Sequence, residues 1–128
     1  MTLQDIWIDF KIISMLEPAR KLYINDDALA LEPISLFSPL KRWLTNSNRR
    51  CVIIRIKQRV EELETYFKKK DYEDKDWVRV EIIKLIDPVK EGLRNLRETY
   101  ADDSQIAANI ELIIARLEFV RYLDEKKV

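Results

Sequence analysis

Two stretches of this chain repeat large apolar residues at alternating steps of three and four, which leaves little freedom in what they can fold into. Ile53, Ile56, Val60, Leu63 and Phe67 step 3-4-3-4, and Ile106, Ile110, Ile113, Leu117 and Val120 step 4-3-4-3. At about 3.6 residues per turn, such steps stack side chains on one face of a helix. A half-buried strand would instead need alternation at every second residue. Both stretches read as helices with a coiled-coil-like seam, over about 48–70 and 104–124. Between them Val78, Ile82, Leu85, Val89, Leu93, Leu96 and Tyr100 mark the buried stripe of a helix reaching about Tyr100. Pro88 falls inside that stripe. It lacks a donor and its ring meets the carbonyl of Lys84, so a kink or break is expected between Lys84 and Gly92. Gly92 weakens the same region.

The first third of the chain is shorter in its patterns. Thr2 with Asp5 three residues on resembles a capping box, and Leu3, Ile6, Trp7, Phe10 and Ile13 recur at helical spacing, giving a helix over about 3–16. Two short apolar runs flank Asn25-Asp26-Asp27, which suggests a small β-hairpin over 21–32, with a loop into a short helix as the alternative. Ser38-Pro39 is a helix start, with Ser as N-cap and Pro at the first helical position. The expected fold is mainly α. It is one domain over 1–128, with an N-terminal helix and possible hairpin in 1–37 and an antiparallel bundle of three long helices in 38–128. The links are short, so neighbouring helices should run antiparallel.

Composition narrows the function. The single glycine argues against glycine-rich phosphate loops. The absence of His removes the commonest general base and zinc ligand, and Cys51 is the only cysteine. Carboxylates are plentiful but sit at salt-bridge spacings, with no pair set apart by an apolar surrounding. No enzyme activity, cofactor or metal is expected. No apolar run of about 18 residues is present, and Asp5 and Asp9 precede the first lysine, unlike a signal peptide. The expected setting is the cytoplasm, with no membrane contact.

Charge is balanced overall, with 23 basic and 23 acidic side chains, but it is unevenly spread. Residues 38–60 carry Lys41, Arg42, Arg49, Arg50, Arg55, Lys57 and Arg59 with no acid, a local net charge of +7. Lys41, Arg42, Arg49, Arg50 and Arg55, with Trp43 to stack on a base, are the candidate residues for binding an anion or nucleic acid. The competing reading is a solvated helical face paired with acidic surfaces elsewhere, and the neutral whole favours it. Arg55, Arg59 and Glu62 are placed on the face of their helix opposite the seam. The acidic run Asp71, Glu73, Asp74 and Asp76 lacks the glycine of a calcium loop and reads as a capping connection. Trp7, Trp43 and Trp77 lie near element starts, where aromatics usually serve packing.

The last helix carries a further signal. Leu112, Ile114, Phe119 and Tyr122 lie outside its seam and widen the apolar surface beyond one stripe. A helix of that kind is central, or is covered by a second chain. These four are the candidate self-association residues.

Ser38-Pro39-Leu40-Lys41-Arg42-Trp43, then Asn48-Arg49, then Gly92-Leu93-Arg94-Asn95-Leu96-Arg97-Glu98-Thr99-Tyr100 together resemble small uncharacterised helical accessory proteins of large DNA viruses and phages. The resemblance spans about half the chain, rests on unspecific motifs and transfers no functional residue. The expected function is a non-enzymatic protein-interaction or assembly module, self-associating as a homo-oligomer or binding another protein. The alternative is a nucleic-acid or anion binder that uses 41–59.

Overall fold

The computed structural model describes residues 2–16, 49–69 and 76–126, which form four helices: α1 (Leu3–Ser14), α2 (Arg49–Lys69), α3 (Asp76–Thr99) and α4 (Ser104–Glu125). The expected hairpin at 21–32 and the short helix after Ser38 lie outside the described residues.

Local chemistry sets the helix ends. At the start of α1, the Asp5 main-chain N–H donates to the Thr2 hydroxyl at 3.2 Å, and the Asp5 carboxylate accepts from the Thr2 main-chain N–H at 3.1 Å. Two otherwise orphaned donors are thereby satisfied. The hydrogen bond from the Thr2 main chain is the chief cause that holds the Asp5 carboxyl below its ordinary pKa. α4 begins at Asp103, whose carboxylate accepts from the main-chain N–H groups of Gln105 and Ile106 at 3.1 and 3.2 Å.

The core is built from the seams. Val52, Ile53, Ile56, Val60, Leu63 and Phe67 of α2 are buried, as are Ile106, Ile110, Ile113, Leu117 and Val120 of α4. α1 contributes Leu3, Ile6, Phe10, Ile12 and Ile13. On α3 the buried stripe is Val78, Ile82, Ile86, Val89, Leu93 and Leu96, while Leu85 and Tyr100 are only partly buried. Leu85 therefore does not hold the deep core position that the periodicity predicts; Ile86 does. At 100° per residue, positions 85 and 86 fall at opposite edges of the same stripe, nearly equally far from its centre. The choice between them depends on where the neighbouring helices lie.

Those neighbours are set by three main packings: α2 on α4, α1 on α3, and α3 on α4, with a lighter contact of α1 on α2. Around the bundle the order is α1, α3, α4, α2. Ion pairs give the directions. Arg79 to Asp124, Lys90 to Glu118 and Arg97 to Glu111 make α3 and α4 antiparallel. Arg50 to Asp103 and Arg116 to Glu64 make α2 and α4 parallel. α3 thus runs opposite to α4, to which it is joined by a short link, and α2, which is not linked to α4, runs parallel to it and opposite to α3. Sequence-adjacent α2 and α3 sit across the bundle from each other, so two helices of the same sense meet.

α3 is one helix across Pro88, with no break. Pro88 is exposed, so the Lys84 carbonyl that loses its donor lies on the solvent side. Gly92 is buried, and a Cβ there would overlap the carbonyl oxygen of Ile13 and lie 3.0 Å from its carbonyl carbon. Its missing side chain lets α1 cross closely over α3. One turn on, the Asn95 side-chain amide donates to the Leu16 carbonyl at 2.8 Å, which satisfies an acceptor just past the end of α1.

Candidate interaction surface

The basic segment is partly spent inside the fold. Lys41, Arg42 and Trp43, and the side chain of Arg49, lie outside the described residues. Arg50 is exposed, but its guanidinium donates to both carboxylate oxygens of Asp103, at 3.0 and 3.4 Å. This contact is the main reason the Asp103 carboxyl sits below its ordinary pKa. Arg50 thus ties the start of α2 to the N-cap of α4. Arg59 is not on an outer face: it is buried, with its Nε 3.3 Å from Asp9, which is fully buried on α1, and its Nη1 3.2 Å from Glu62. A charge at the edge of a seam can turn inward when a neighbouring helix supplies a carboxylate, and α1 supplies one here. Arg55 remains exposed and reaches Gln58 at 3.5 Å. The structure therefore does not bring the proposed cations together as one free patch among the described residues.

Asp76 of the acidic run opens α3 and lies 3.7 Å from Arg79; Asp71, Glu73 and Asp74 lie outside the described residues. Among the described residues no cluster of three or more His, Cys, Asp or Glu side chains is placed to hold a metal. No helix of the described residues is long and apolar enough to cross a membrane. Trp7 packs against the core, and Trp77 leans on it edge to face with ring centroids 5.2 Å apart. Trp77 itself is half exposed and does not serve as a buried packing residue.

The self-association residues separate into two groups. Leu112, Phe119 and Tyr122 are 41%, 39% and 48% exposed, which marks them as surface and not core. Ile114 differs: it is half-buried and packs against the core, because it points toward a neighbouring helix. Two residues that the sequence reading passed over complete the outer group. Ala108 and Ala115 are exposed, and Ala108, Leu112, Ala115, Phe119 and Tyr122 step 4-3-4-3. This second seam is offset by two residues from the buried one, about 200° round the helix. α4 therefore carries two opposed heptad seams. The signal was present in the sequence, but alanines are easily missed when only bulky residues are counted.

The second seam has a charged frame. Toward α3 stand Glu111, paired with Arg97, and Glu118, paired with Lys90 and 3.5 Å from Arg121. Arg121 also lies 2.8 Å from Asp87, which holds the Asp87 carboxyl below its ordinary pKa and raises that of Arg121. Toward α2 stands Arg116, 3.1 Å from Glu64 and 3.6 Å from Glu61. Phe119 and Tyr122 stack with centroids 6.1 Å apart and planes inclined by 22°. Lys68 and Lys126 lie over their rings, at 5.6 and 5.4 Å from the centroids. An apolar strip with a rim of paired charges has the anatomy of a protein interface.

No family model matches the chain, and no curated protein or solved structure matches it either.

Proposed function

We propose that this chain is a non-enzymatic protein-interaction or assembly module that self-associates, with α4 as its contact element. The observation that carries this reading is the second seam of α4, whose large members Leu112, Phe119 and Tyr122 are exposed while the first seam is fully buried. Exposed apolar residues scattered singly need no explanation; a heptad row of them along one helix does. A two-fold homodimer is the commonest way to cover such a row. The resemblance to viral and phage helical proteins suits an accessory role of this kind.

Binding of nucleic acid is the weaker reading, since Arg50 and Arg59 already hold carboxylates within the chain. Light scattering over a range of concentrations tests the proposal. A mass that rises above one chain at tens of micromolar, and returns to one chain in Leu112→Glu or Phe119→Glu, supports it. A mass of one chain throughout overturns it.

A further inference from the structure

We draw no further inference here: the strongest candidate, the exposed apolar patch of Leu112, Phe119 and Tyr122 on α4 with Lys68 and Lys126 over its aromatic rings, belongs to the surface already described, and nothing in the structure shows what covers it.

Discussion

Gly92 of α3 lies directly against the main chain of Ile13 in α1, so closely that no β-carbon fits between them. Helix propensity alone says that Gly92→Ala should stabilise the protein by about 1 kcal/mol. The geometry says the opposite. The atom to be displaced is a backbone carbonyl, which cannot rotate away as a side chain can. Gly92→Ala is expected to lower stability by about 1–3 kcal/mol, as overpacked sites do. Urea unfolding followed by circular dichroism measures it, and a gain in stability would show that α1 does not cross α3 at this point.

The Asp9–Arg59 pair joins α1 to α2 in the interior, with Asp9 fully buried. Removing Arg59 takes from the fully buried Asp9 the cation that faces it, whereas removing Asp9 leaves Arg59 still beside Glu62. Arg59→Ala is expected to cost about 3–5 kcal/mol, and Asp9→Ala less, because Arg59 keeps Glu62. The double replacement Asp9→Leu with Arg59→Met should recover most of that loss, because an apolar pair carries no desolvation penalty. Equal losses in the single and double variants would argue against a direct pairing.

The two seams of α4 respond differently to truncation. Leu117 is fully buried and Leu112 is 41% exposed. Leu117→Ala should cost about 2–5 kcal/mol through the cavity it leaves. Leu112→Ala, measured at a dilution where the chain is a single copy, should change stability by no more than about 0.5 kcal/mol. At high protein concentration Leu112→Ala should in addition weaken association. If the two variants melt alike in dilute solution, the facing of α4 is wrong.

Acid should loosen the ends and the rim of the bundle. Asp5, Asp87 and Asp103 each have a carboxyl pKa lowered from the ordinary 3.8. The main causes are the Thr2 main-chain N–H for Asp5, the Arg121 guanidinium for Asp87 and the Arg50 guanidinium for Asp103. A depressed native pKa adds stability at pH values above the unfolded-state pKa, and that stability is lost as pH falls through the native value. The unfolding midpoint should therefore be nearly flat above about pH 5 and fall below about pH 4. Asp103→Asn keeps an N-cap acceptor but loses the charge that faces Arg50, so its midpoint should fall less steeply in acid. Parallel curves for this variant and the parent would remove Asp103 from the account.

The sequence by itself determined whatever follows from near neighbours along the chain. The Thr2–Asp5 box, the Asp103 cap and the burial of Ile56, Leu63, Ile113 and Leu117 all follow from hydrogen bonds within one turn or from the period of a single helix. Tertiary structure alone decided which of two equally placed residues, Leu85 or Ile86, enters the core, because α1 and α4 approach α3 from particular sides. It turned Gly92 from a weak point of a helix into the place where two helices touch. It drew Arg59 inward to Asp9 and Arg50 onto Asp103, so that a run of cations conspicuous in the sequence is partly neutralised by carboxylates about 50 residues away in the chain. It also divided the remaining large apolar residues of α4, leaving Leu112, Phe119 and Tyr122 exposed while Ile114 packs against the core. The reason is that these residues flank the seam, and only the positions of α2 and α3 beside the helix decide which flank is covered.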